Sequence, residues 1–300
     1  MSAEPAQSWS LTRVRCSSSP LARAWHGCTI SLLAGGPGPY AVQVPDWVPA
    51  GIGAVAGELA GSDLTVLAAR VPGRENVLHP PGRCPVCGAR LRAVDMIPLA
   101  GWLRLRGRCR SCHARFGRWY PAVELATGLL FVLMALRFGA SPVLPAFWLL
   151  AALAVVLTVI DLRYQRLPDL LTLPAYPAAL ALLGVAALVL PGGGHRFLAA
   201  LVGLAVAFLL FLLLHVISPA GMGFGDAKLS GVLGLYLGWL GAAALVAGLL
   251  GAFLLAAVTG LGLMAAGKAT RKSLIPLGPF MLTATLAVIT VSGLLPGPAW

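Results

Sequence analysis

Acidic side chains are scarce in this chain. Its 300 residues carry 10 Asp and Glu against 22 Lys and Arg. Beyond Glu124 the only carboxylate side chains are Asp161, Asp169 and Asp226. Charge of both signs amounts to 11% of residues, less than half of the roughly 25% found in soluble domains. That shortfall excludes a large aqueous domain. The first 46 residues have no uninterrupted apolar run, because Arg13, Arg15 and Arg23 break it up. They do not read as a signal peptide, and their Ser, Gly and Pro clusters predict a poorly ordered extension.

What is abundant is hydrocarbon. Hydrophobic residues make up 58% of the chain and the mean hydropathy is +0.86, which predicts an all-α, polytopic membrane protein. The formal charge of +12 is unevenly placed. Fourteen of the 22 basic residues precede Glu124, and ten arginines fall within 74–118. Beside membrane spans such a cluster reads as a cytoplasmic retention signal, so lipid is the expected surroundings and nucleic acid is not an expected partner.

The apolar runs predict eight transmembrane helices. Trp47–Ala69 is the most polar, with Glu58 and Asp63 inside it, and these acids are expected to face the bundle or the interface. Gly53, Gly57 and Gly61 share one face, which suits close helix packing. The polar segment 70–120 follows, then apolar runs over Ala122–Leu136, Val143–Ile160, Leu170–Leu190 and Phe197–Ile217. No charge occurs for 39 residues from Leu229 to Gly267. One span takes about 20 residues, so this stretch crosses twice, with a break expected at Gly238–Gly241. A last span is expected near Gly278–Leu295. Three regions result: the extension 1–46, a first span with the polar segment over 47–120, and a membrane core over 121–300. Two crossings separate the polar segment from Asp161, and two more separate Asp161 from Asp226. All three therefore fall on one side, which the later basic residues mark as cytoplasmic. Arg137 and Arg196 fall on the other.

Two constellations can carry chemistry. Cys84 and Cys87, then 21 residues, then Cys109 and Cys112 form paired C-x-x-C turns. Four thiolates so spaced suit a closed, tetrahedral structural zinc site; free thiols and a redox pair are the alternatives. Cys16 and Cys28 have no such partners. The second constellation is Asp161 with Asp226, the latter inside Gly221–Lys228. Gly221, Gly223 and Gly225 come just before Asp226 and signal a tight turn or a close approach. Two nearby carboxylates can share one proton, so that one activates water while the other polarises a carbonyl. The plainer reading pairs these acids with Arg163, Arg166 and Lys228. A proton-coupled transporter would use the same residues. Asp169 reads as an N-cap, Glu124 as a helix-start residue and His215 as polar packing.

Taken together the motifs resemble the prepilin peptidase family, the type IV leader peptidases. The matching stretches are Gly61-Ser62 with Arg70-Val71-Pro72, both cysteine pairs, Ile97-Pro98-Leu99, Arg106–Arg110 and Tyr120–Leu125. Asp161 with Leu167-Pro168-Asp169, Gly223–Leu229 and Pro276–Phe280 complete the series. The resemblance implies a membrane aspartic protease of the GxGD type with Asp161 and Asp226 as its catalytic pair. Gly223, Gly225, Lys228 and Asp169 belong to the supporting motifs. It implies prepilin or pseudopilin substrates, cleaved at the cytoplasmic face. It also implies N-methylation of the new terminus from S-adenosylmethionine, associated with the cysteine segment. Asp63 and Met96 depart from the family pattern in the half tied to methylation, so a member with peptidase activity alone is the alternative.

Overall fold

The computed structural model describes residues 13–15, 29–31, 45, 47–73, 84, 86–117, 119–219, 222–268, 270 and 276–292. Eight long helices account for most of them. They are α1 (Trp47–Arg70), α3 (Trp119–Phe138), α4 (Leu144–Tyr164), α5 (Asp169–Val189), α6 (Gly193–Ile217), α7 (Phe224–Leu240), α8 (Ala242–Ala265) and α9 (Gly278–Val291). A one-turn helix, α2 (Ala100–Arg104), lies in the polar segment. Two three-residue strands, β1 (Arg13–Arg15) and β2 (Thr29–Ser31), pair antiparallel; so short a ribbon leaves no alternating pattern to read. The rest of the extension, with Cys16 and Cys28, lies outside the described residues.

The helices fall on the expected runs. Six of them are long and apolar enough to cross a bilayer: α1 with the turn after it, α3, α4, α5, α6 and α8. The chain is thus a multi-pass membrane protein. The shorter α7 and α9 complete the bundle. The uncharged 39-residue stretch does break where expected, at Gly241, whose φ of 115° ends α7 and starts α8. That backbone conformation is open to glycine and strained for other residues.

Burial sorts the helices into an inner and an outer set. Along α7, nearly every residue from Ala227 to Trp239 is buried, and α4 is almost as enclosed. By contrast α5, α6 and α8 leave Leu188, Leu209 and Val258 on the outside. Such apolar faces would be a liability in water and are the expected surface in lipid.

Close backbone approach holds the pairs together. A Cβ on Gly57 would lie 2.8 Å from the Cα of Gly128, and one on Gly61 would lie 2.8 Å from the Cα of Glu124. The small-residue face of α1 therefore seats directly on α3, the packing its spacing predicts. Gly203 of α6 and Gly234 of α7 meet backbone to backbone in the same way. Glu58 points into the α1–α3 seam against Gly128. Asp63 is exposed, seven residues and so about 10 Å from the end of α1.

Candidate active site and metal centre

Four helix ends converge on one face of the bundle. The last turn of α4 carries Asp161, buried to 5% exposure. Gln165 closes that helix in the left-handed region, donating its N–H to the Asp161 carbonyl. The chain then runs through Leu167 into α5. Its first residue, Asp169, does not cap the helix; that position is Pro168. Instead Asp169 accepts an ion pair from Lys228 of α7 at 2.7 Å. The partner lies 59 residues away in sequence, so no local pattern announces it.

Asp226 is the third residue of α7. Its Oδ2 accepts the Gly223 N–H at 3.3 Å and its own N–H returns to the Gly223 carbonyl at 3.1 Å. This reciprocal pair fixes the turn, and the helix N-terminus favours an anion there. The adjoining Gly225 lies against Leu167, which a Cβ would approach to 3.0 Å. Leu167 also packs near Gly278, the first residue of α9. The Gly278 amide faces the Asp161 carboxylate, and a Cβ at that position would stand 2.6 Å from Asp161 Oδ2. Any side chain at 278 would therefore displace the acid.

Asp161 lies close enough for its charge to reach Asp226. Among the described residues neither forms an ion pair with a base. The plainer reading of interfacial acids neutralised by neighbours therefore fails at the bases it named. Lys228 is taken by Asp169, and the Arg163 guanidinium lies 4.0 Å over the Trp119 ring. Asp161 Oδ2 is buried, and among the described residues it has no hydrogen-bond partner. His215 only braces the approach to α7, its Nδ1 lying 2.7 Å from the Met222 carbonyl. Gly278 is the site residue sequence reasoning missed. Its Pro-Leu-Gly-Pro motif is visible, but nothing local says that α9 returns to face α4.

The cysteine segment sits beside this face. Cys84 and Cys112 sulfurs are 3.7 Å apart, and those of Cys87 and Cys109 are 3.9 Å apart. All four lie within 4.8 Å of one another. A tetrahedron with 2.3 Å metal–sulfur bonds has edges of about 3.8 Å, so the set fits a metal ion. Disulfides would need about 2.05 Å. The two turns are built alike. Cys84 exchanges backbone bonds with Gly88 and Ala89, and Cys109 does the same with His113 and Ala114. Gly88 and His113 both take positive φ, so His113 is a turn residue here. Backbone N–H groups of Cys112 and Ser111 pull the Cys109 thiol down to about 6. Cys112, despite an N–H near Ala114, is pushed up to about 12 by burial and the neighbouring sulfurs. Four clustered thiols resist joint ionisation until a cation replaces their protons.

Two polar contacts tie this segment down. Asp95 accepts from Arg110 at 2.6 Å, and that side-chain hydrogen bond holds its carboxyl below the ordinary 3.8. Glu124 of α3 is buried and accepts the Leu99 N–H at 2.8 Å. Glu124 is therefore not a cap of its own helix but the attachment point of the segment to the bundle.

Comparison with known proteins covers both halves. Residues 55–138 match the bacterial peptidase A24 N-terminal domain, and residues 148–266 match the type IV leader peptidase family. A prepilin leader peptidase/N-methyltransferase of Myxococcus xanthus is 40% identical over 221 residues, 72% of this chain and 63% of that protein. One of Aeromonas hydrophila is 38% identical over 70% of this chain and 71% of its own length. One of Bacillus subtilis is 29% identical over 74% and 86%. The chain thus spans slightly under two thirds of the Myxococcus relative and more of the others. No solved structure matches it. With two consecutive domain matches and relatives aligned across most of their length, this chain belongs to the type IV leader peptidase family.

Proposed function

We propose that this protein removes the leader peptide of type IV prepilins or pseudopilins and then N-methylates the new terminus. Its peptidase centre is the pair Asp161 and Asp226. The observation that carries this reading is a pair of carboxylates at converging helix ends, Asp226 within reach of the Asp161 charge, with no ion pair to a base for either among the described residues. Two such acids hold one proton between them. The ionised member takes a proton from water as it attacks the scissile carbonyl, and the protonated member donates a hydrogen bond to the carbonyl oxygen. The N-termini of α5, α7 and α9 around the site favour the negative charge that develops. Asp169 and Lys228 bind the start of α5 to α7, and Gly223 and Gly225 allow the turn that brings Asp226 in. A proton-coupled transporter gains no support from relatives named as peptidases.

Zinc is the metal that four thiolates at this spacing suit, held by Cys84, Cys87, Cys109 and Cys112 as a structural staple. S-adenosylmethionine supplies the methyl group in the second reaction; which residues of this chain hold it is left unassigned. The site and the cysteine segment face the cytoplasm, on the inner side of the cytoplasmic membrane, because the basic residues concentrate there. To test the proposal, the purified protein is mixed with a prepilin-like peptide, with and without S-adenosylmethionine, and the products are weighed. Leader loss alone, then leader loss plus the mass of one methyl group, supports both activities. An intact peptide in both arms contradicts the reading; cleavage without methylation leaves a peptidase alone.

A further inference from the structure

At the edge of the cysteine cluster the segment forms an open cleft of about 610 Å³ lined by Arg104, Leu105, Arg106, Arg108, Arg110 and His113, with Cys109 of the cluster in its wall. Four arginines line this one space, and among the described residues the only carboxylate bonded to any of them is Asp95, on Arg110. The other three arginines are exposed. Such a cleft attracts an anion with several acceptor oxygens through its concentrated positive charge. S-adenosylmethionine is a poor match, because its sulfonium and ammonium outweigh its carboxylate.

The cleft also stands at membrane level. Arg108 and Arg115 form a β-bridge, and Arg115 precedes the start of α3 at Trp119 by four residues. Four residues span at most about 14 Å, so Arg115 and the Arg108 it pairs with lie near that end of α3, within reach of a headgroup layer at that level. Next to them Leu103 is 66% exposed and Ile97 50% exposed. Apolar side chains beside arginines are what a segment resting on a leaflet presents.

We propose that this cleft binds the phosphate of an anionic phospholipid and so seats the cysteine segment on the membrane surface beside the active site. The test is binding to the full-length, metal-loaded protein in neutral detergent. Short-chain phosphatidylglycerol is compared with short-chain phosphatidylcholine, inorganic phosphate and a duplex DNA fragment. Phosphatidylglycerol should bind well ahead of phosphatidylcholine, and the advantage should shrink with salt. The double variant Arg106→Gln/Arg108→Gln should lose about thirtyfold of that advantage while keeping its metal, and Arg106→Lys/Arg108→Lys should keep most of it. Equal binding of the two lipids overturns the proposal, as does an advantage unchanged in the glutamine variant. Inorganic phosphate binding as tightly as phosphatidylglycerol would identify a free-anion site instead, and DNA displacing the lipid would identify a nucleic-acid surface. If the glutamine variant loses its metal, the lysine variant and the salt series on the wild type decide. Loss of the advantage in the lysine variant, or indifference to salt, overturns the lipid assignment.

Discussion

The helical bundle and the cysteine segment are held together by different means. In the bundle, α4 and α7 are sealed by side chains on every face, and glycine faces let α1 lie on α3 and α6 on α7. Its order is spread over a large apolar interior. The cysteine segment has almost none. Cys84 and Cys109 are buried, while Val86, Val94, Met96, Ile97 and Leu103 are exposed. Among the described residues its two backbone turns are tied together by four clustered sulfurs, the Asp95–Arg110 ion pair and the Leu99–Glu124 hydrogen bond to α3. A region with a core tolerates the loss of any single contact; a region without one depends on each staple.

That contrast can be broken at its strongest point first. Chelating the metal, or replacing Cys84 with Ser, should open the cysteine segment to protease while the bundle stays intact. Structural zinc supplies on the order of 10 kcal/mol to small folds of this type. Limited proteolysis read by mass should show cuts confined to 84–117. Cuts spread across the bundle would mean the two regions are one cooperative unit.

A smaller effect tests the bundle. Gly57→Leu forces a side chain where a Cβ alone already meets the α3 backbone, and should destabilise by about 3 kcal/mol, the upper end of overpacking. Thermal unfolding in detergent measures it, and Gly51→Leu is the control, since nothing lies within 4 Å of that position. Next comes the junction. Glu124→Ala leaves the Leu99 N–H without its acceptor, a loss of about 1–2 kcal/mol. It should raise hydrogen exchange around Leu99 without loosening the metal.

The smallest effect is at Asp95. Its carboxyl is held low by Arg110, so its contribution is complete above the ordinary value of 3.8 and is lost as pH falls below it. Asp95→Asn should therefore make the segment more sensitive to protease at neutral pH, with the difference from wild type fading as pH falls below the ordinary carboxylate value. A difference that grows on acidification would mean the pair is not what stabilises it.

Much of this was readable from the chain because hydrocarbon runs and cysteine spacing are local signals. Twenty apolar residues announce a span, and an uncharged run of 39 announces two with a glycine between them. Two C-x-x-C turns announce a metal site. The unread parts are contacts between residues distant in sequence. Asp169 looks like a cap until Lys228 arrives from α7. Glu124 looks like a helix-start acid until Leu99 folds back on it. Gly278 looks like a turn residue until α9 brings it against Asp161. The acid pair itself was legible in part. Counting crossings puts both aspartates on one side, but it does not say that Lys228 pairs with Asp169 rather than with either of them.

The account stands or falls on Asp161 and Asp226 acting as one centre. The direct measurement is leader cleavage by Asp161→Asn and by Asp226→Asn, each checked for an unchanged unfolding temperature. Each substitution alone should lower the cleavage rate between about a hundred- and ten-thousandfold, and combining them should lower it little further. Cleavage at the wild-type rate by either folded variant would contradict a shared catalytic pair.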